Sequence, residues 1–213
     1  MDLLVSAVRY ISEHETRFWS EVWAQVQLSA TALLIAIAIF VPLGIVASRS
    51  RVTGPALVGI VGAARVIPSL AVLFLLLPVL GTGFTPALVA LTLLAGPPLI
   101  VNTDAGLRGV DPAIVENAEG LGMNRRQLFA RVQFPLALPL IVAGIRTAAV
   151  EVIASATLAA FIGADGLGTF ILAGLTLLDF RLLLVGALPV TIMALLTETT
   201  FHWVERLVTP PAS

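Results

Sequence analysis

Two residue types are missing from this chain of 213 residues, and each absence removes a class of chemistry. There is no cysteine, so disulfides, thiol nucleophiles and thiolate metal sites are excluded. There is no lysine either: all 12 basic residues are arginines, and a phosphate-binding Walker A loop cannot be built without its lysine. The chain is therefore not an ordinary P-loop ATPase. Charge is scarce, with 12% charged residues and a formal net charge of -1, and no basic tract exists to follow a nucleic-acid backbone. The two histidines, His14 and His202, lie at opposite ends without clustered ligands, so no catalytic residue and no metal site is expected.

What is abundant is apolar material: 58% of residues are hydrophobic and the mean hydropathy is +1.02. A membrane protein follows, with spans expected at 22–47, 55–80, 84–107, 135–162 and 182–204. The apolar piece 167–178 is short for a crossing; it reads as a re-entrant or interfacial helix, with a sixth crossing as the alternative. The expected fold is all-α, a polytopic transmembrane helical bundle of about five spans. One transmembrane domain, 22–206, lies between an amphipathic interfacial segment, 1–21, and a tail, 207–213. The first segment has neither a continuous apolar core nor an A-x-A site, so a cleaved signal peptide is not expected. Prolines 42, 68, 78, 97, 98 and 189 fall inside the spans and imply bent helices.

Arginine position sets the expected orientation. Arg49 and Arg51 follow the first span, Arg108, Arg125, Arg126 and Arg131 the third, and Arg206 the last, whereas 81–85 has no charge. The positive-inside rule places the N-terminus outside and the C-terminus in the cytoplasm, with Arg9 and Arg17 as the opposing signal.

The polar segment 108–135 carries the most information. Asp111 before Pro112 is a helix start, and Ile114, Val115 and Ala118 fall on one face while Glu116, Asn117 and Gly120 turn away. Gly122 can end that helix in the left-handed conformation, and Asn124 with Gln127 predicts the cap of a second short helix ending before Pro135. Two helices and a tight turn make a knob tied to a span at each end; a plain solvated hairpin is the competing reading.

Charges inside spans are costly and so are candidates for function: Arg65, Asp104, Arg146, Glu151 and Glu198. Arg65 and Glu151 fall near mid-span, and these two with Arg146 are candidates to line a pathway, the alternative being that they hold helices together. Arg146 and Glu151 are five residues apart on one helix, poor spacing for a direct pair. The lone tyrosine, Tyr10, and the tryptophans Trp19, Trp23 and Trp203 read as a membrane belt rather than a cage for a quaternary amine. Gly163, Gly166 and Gly168 form a tight turn, not a phosphate cradle.

Glu116, Ala118 and Gly122, followed after nine residues by Val132, Phe134 and Pro135, fit E-A-A-x-x-x-G with I-x-L-P downstream. This pattern, placed between the third and fourth spans, resembles that of binding-protein-dependent ABC importer permeases. Asn117 stands where the second alanine is usual, and Val132 and Phe134 replace isoleucine and leucine. The resemblance implies a type I importer permease fold in the plasma (inner) membrane of a bacterium. It implies a coupling site at Asp111, Glu116, Ala118, Gly122 and Pro135, with Glu116 meeting a basic group of a separate ATPase subunit. The partners implied are that ATPase, a second permease copy of like or unlike sequence, an extracytoplasmic substrate-binding protein and the lipid bilayer, but no nucleic acid. ATP would be bound by the partner, and no cofactor by this chain.

The runs GVDPAIVENAEGLGM from Gly109, LALPLIVAGIRTAAV from Leu136 and SATLAAFIGADGLGTFI from Ser155 resemble permeases for glycine betaine, choline and carnitine. Asp165 departs from that pattern, where a further glycine is usual; an acidic residue at this outer turn would change the contact with the binding protein, the milder and preferred reading being that aspartate tolerates the turn geometry. An importer of methionine or another amino acid derivative is the rival within the class, disfavoured by 159–168. A secondary transporter or channel is the rival outside it, and no internal repeat supports one.

Overall fold

The computed structural model describes residues 2–50 and 53–209, and among them all regular structure is helical. Met1, Arg51 of the orientation pattern and residues 210–213 of the expected tail lie outside the described residues. Helix α1 (Asp2–Glu13) ends at His14, and α2 (Glu15–Ser48) then runs for 34 residues. Neither glycine nor proline occurs between Glu15 and Val41, so nothing interrupts α2 before it reaches the expected first span.

The expected second span is divided. Helix α3 (Thr53–Ala63) tightens into a 3-10 turn (Ala64–Val66), and α4 (Ser69–Leu80) starts after Pro68, whose backbone is extended at φ -58 and ψ 133. Pro68 has no N–H to continue the ladder and disfavours helical geometry at Ile67, so the break falls where the chemistry requires it.

Helix α5 (Phe84–Arg108) is the third expected span, α6 (Pro112–Gly120) the first helix of the knob and α7 (Arg125–Leu128) the second. Contrary to the sequence expectation, that second helix does not stop before Pro135. A π-helical turn (Phe129–Gln133) carries it into α8 (Phe134–Ala156), with the Phe134 N–H donating to the Phe129 carbonyl. Pro135 and Pro139 each remove a ladder donor, and the wider turn accommodates the change of register without ending the helix. A 3-10 stretch (Thr157–Ile162) closes α8, and α9 (Gly168–Leu177) and α10 (Phe180–Val208) follow.

Among the described residues, four continuous helical stretches are long and apolar enough to cross a membrane: Glu15–Ser48, Phe84–Arg108, Arg125–Ile162 and Phe180–Val208. The shorter apolar helices are α4 and α9; the latter, at ten residues, covers the short piece anticipated from sequence. Leu188, Ile192, Leu195, Leu196, Trp203 and Leu207 are exposed on α10, a stripe that water would not favour and hydrocarbon does.

Contacts divide the chain into two compact units. One is drawn from Met1–Ile35, Val66–Ala95 and Ala149–Thr197; its core gathers Phe18, Leu167, Phe170, Leu182 and Val185, with Tyr10 edge-on to Phe170. The other is drawn from Ala36–Arg65, Gly96–Ala148 and Glu198–Ser213. Its core is built on Leu107, Ala137 and Ile141, with Val41, Ile45, Phe129 and Phe134 packed around them.

Candidate functional site

The knob lies wholly within the second unit, and each of its ends is fixed by a named bond. Asp111 caps α6, its side chain accepting from the Ala113 N–H at 2.8 Å with Pro112 at the first helical position. At the other end of α6 the Gly122 N–H donates to the Glu119 carbonyl at 2.9 Å and the Met123 N–H to the Ala118 carbonyl at 3.2 Å. With Gly122 at φ +79, these two bonds form a Schellman motif, which satisfies carbonyls that the helix end would leave bare. Asn124 then accepts from the Arg126 and Gln127 N–H groups while the Gln127 side chain accepts from the Asn124 N–H, a complete capping box.

Ala118 is buried and Val115 half-buried, as the expected inward face requires. Ile114, however, is 42% exposed and Leu121 is 81% exposed. At about 100° per residue, Ile114 and Leu121 share an azimuth on the side of Asn117, away from the centre of the buried face. Glu116 is also exposed, but lies about 140–160° around the helix from that ridge, so α6 presents the apolar ridge and the carboxylate on opposite sides.

Sequence reasoning used Arg108 only as a positive charge, but it is the tether of the knob. Its Nε lies 2.8 and 2.9 Å from the two Asp104 carboxylate oxygens, and its Nη2 donates to the carbonyls of Ala47 and Ser50, each at 2.8 Å. Asp104 is 7% exposed, so this pairing keeps an otherwise costly carboxylate compensated. The same guanidinium caps the C-terminal end of α2, tying it to the beginning of the knob.

The three candidate pathway charges lie on separate segments or have distinct surroundings. Arg65 is exposed in the 3-10 turn that breaks the second span, and Glu151 is exposed on α8. Arg146 faces α10: its Nε is 3.6 Å from Glu198, and its Nη1 is 3.2 Å from Glu205 and 3.4 Å from the His202 Nδ1. The Glu205 contact is ionic rather than a directed hydrogen bond. An arginine flanked by two carboxylates braces α8 against α10. Its partners are 52 and 59 positions along the chain, beyond the reach of any periodicity argument.

In the first unit the glycine-rich turn is held from α2. The Gly166 N–H donates to Glu21 Oε2 at 2.7 Å, and Gln25 Nε2 donates to the Ile153 carbonyl at 3.0 Å. Glu21 is a second residue whose role the sequence did not disclose. Its partner is 145 residues away, and among the other polar residues of the first turns of α2 nothing singled it out. Asp165 is exposed on this turn, while Leu167 and Gly168 beside it are buried. Beyond it, Asp179 opens α10 by accepting from the Arg181 N–H, and its hydrogen bond from the Arg181 guanidinium holds the carboxyl below its ordinary range.

Spanning helices interrupted by a compact, doubly capped knob define a polytopic helical membrane protein. The chain belongs to the family described as binding-protein-dependent transport system inner membrane component, whose model matches residues 40–210. It is similar to the carnitine transport permease protein OpuCB of Listeria monocytogenes, at 41% identity over 100% of this chain and 96% of that protein. It is also similar to the choline transport system permease protein OpuBB of Bacillus subtilis, at 36% identity over 95% of this chain and 94% of the relative. Among solved structures, an inward-facing MetNI methionine ABC transporter chain superposes with a TM-score of 0.77 at 21% identity, covering 93% of this chain and 99% of that one. That likeness establishes the type I importer permease fold. Membership makes the chain a multi-pass inner-membrane permease subunit whose work depends on a separate ATPase and a substrate-binding protein.

Proposed function

We propose that this chain is the permease subunit of an ABC importer that brings osmoprotectants of the glycine betaine, choline and carnitine type into the cell. The observation that carries the substrate class is end-to-end similarity, at 41% and 36% identity, to permeases named for carnitine and choline. The methionine transporter likeness, at 21% identity, speaks for the fold and carries no substrate information.

In this reading α6 docks into a separate ATPase, which binds the ATP; the permease itself has no ATPase site and holds no cofactor. The exposed Glu116 meets a basic group, the ridge of Ile114 and Leu121 enters a cleft, and buried Ala118 lets α6 lie close to its own support. The Gly122 turn and the Asp111 cap fix the angle of α6, and Pro135, inside the continuous helix, passes its movement to α8. The N-terminus faces outward and the C-terminus the cytoplasm, which places the knob on the ATPase side. A second permease copy, identical or homologous, completes the pathway. Arg65 and Glu151, exposed within membrane-embedded segments, are the charges such a pathway would use, whereas Arg146 serves as a brace.

The test is reconstitution in vesicles with the ATPase and binding protein, followed by uptake of radiolabelled glycine betaine, choline, carnitine and methionine. ATP-dependent uptake of a quaternary amine is expected; uptake of methionine alone would discard the substrate class, and uptake without the ATPase would discard the importer. Glu116→Arg is expected to leave the protein folded in the membrane and abolish stimulation of the ATPase, and retained stimulation would remove Glu116 from coupling.

A further inference from the structure

The second unit contains a cavity of about 620 Å³ bordered by Arg49, Arg125, Arg126 and Glu119, with Leu128 and Phe129 in its wall. Its charge is unbalanced, with three guanidinium groups against one carboxylate. None of the three arginines has an ion-pair partner among the described residues, in contrast to Arg108, Arg146 and Arg181, which all do. Arg49 instead stacks over Phe129, its guanidinium carbon 5.1 Å from the ring centroid, which leaves its edge free to donate.

The depth of the cavity is set by the helices that form it. Arg49 follows directly on the C-terminal end of α2, and Leu128 and Phe129 precede Arg131 and Gln133, so they lie between one and two turns outside the apolar part of the Arg125–Ile162 stretch, which starts at Phe134. The cavity therefore sits just outside the apolar parts of two spans, at the level of the headgroups, whichever way the chain is oriented. At that level the bilayer presents phosphate groups with acyl chains immediately beneath them, matching arginines set next to leucine and phenylalanine. Guanidinium groups are the side chains best suited to phosphate oxygens, and three of them exceed what one zwitterionic headgroup requires.

We propose that this cavity is a binding site for the phosphate of an acidic phospholipid headgroup, with Arg49, Arg125 and Arg126 as its donors and Glu119 as an opposing charge that limits its affinity. Lipid bound here would join the end of α2 to the foot of the knob, making the knob's position depend on the composition of the surrounding leaflet.

The test is native mass spectrometry of the assembled importer, titrated with phosphatidylglycerol or phosphatidylcholine, with and without millimolar inorganic phosphate. Wild type is expected to retain phosphatidylglycerol in preference to phosphatidylcholine, and each of Arg49→Gln, Arg125→Gln and Arg126→Gln to weaken that preference about five-fold. Glu119→Gln is expected to strengthen it, a gain that damaged folding cannot imitate. Unchanged retention in Arg49→Gln/Arg125→Gln/Arg126→Gln, or no gain in Glu119→Gln, would overturn the proposal. Inorganic phosphate binding with no preference between the two lipids would assign the arginines to a soluble anion and overturn the lipid source. Retention by the isolated permease that disappears on assembly would assign them to an acidic surface of the ATPase, and would overturn it as well.

Discussion

Gly122, in the turn after α6, and Gly168, at the start of α9, are constrained by opposite physics. At Gly122 the backbone is left-handed, φ +79, and a Cβ would meet nothing within 4 Å. At Gly168 no left-handed backbone is needed, but a Cβ would land on the carbonyl oxygen of Thr157 and 2.9 Å from its Cα. The first glycine is required by conformation in an open site and the second by space in a packed one. The Gly122 turn stands clear of neighbours, whereas the segment at Gly168 is packed into a core.

That contrast can be broken by substitution. Gly168→Ala is expected to cost the most, about 3 kcal/mol, because backbone rather than a flexible side chain must give way. It should show as a lowered thermal midpoint of the purified protein in detergent, and an unchanged midpoint would mean α9 can shift freely. Glu21→Ala follows, at about 1–3 kcal/mol, since it strips the acceptor from the Gly166 N–H; proteolytic sensitivity of the 163–168 turn would report it. Gly122→Val is expected to cost about 1–2 kcal/mol, confined to the knob, leaving the midpoint of the spans in place while weakening association with the ATPase in a pull-down titration. Global unfolding instead would place Gly122 with Gly168 and end the distinction. Gly122→Asn should be the mildest, because asparagine enters the left-handed region more readily, and ATPase stimulation should stay near wild type.

Local features were the legible ones. The Asp111 cap, the Asn124–Gln127 box and the left-handed Gly122 all depend on residues within five positions of one another, and all are in place. Pro68 inside a long apolar run was visible as a source of bending, but apolarity alone could not separate a bend from the full break between α3 and α4. Nor could it separate an interfacial segment from the first turns of α2, because both are rich in aromatic and charged residues at 15–23. The bonds that locate charges in space, Glu21 to Gly166, Arg108 to Ala47 and Arg146 to Glu198, join residues 145, 61 and 52 positions apart. They depend on how helices pack, which periodicity within one helix does not encode.

The π-helical turn at Phe129–Gln133 sets the phase between the knob and α8. Its i→i+5 bonding accommodates one residue more than an α-turn, so the azimuth of everything before it is offset by about 100° from that of an uninterrupted helix. Deleting a single residue there would leave a smoother helix, but one whose knob and whose Arg146 face could no longer both point at their present neighbours. The bulge is thus an angular key, fixing the offset between α7 and α8 within one continuous helix.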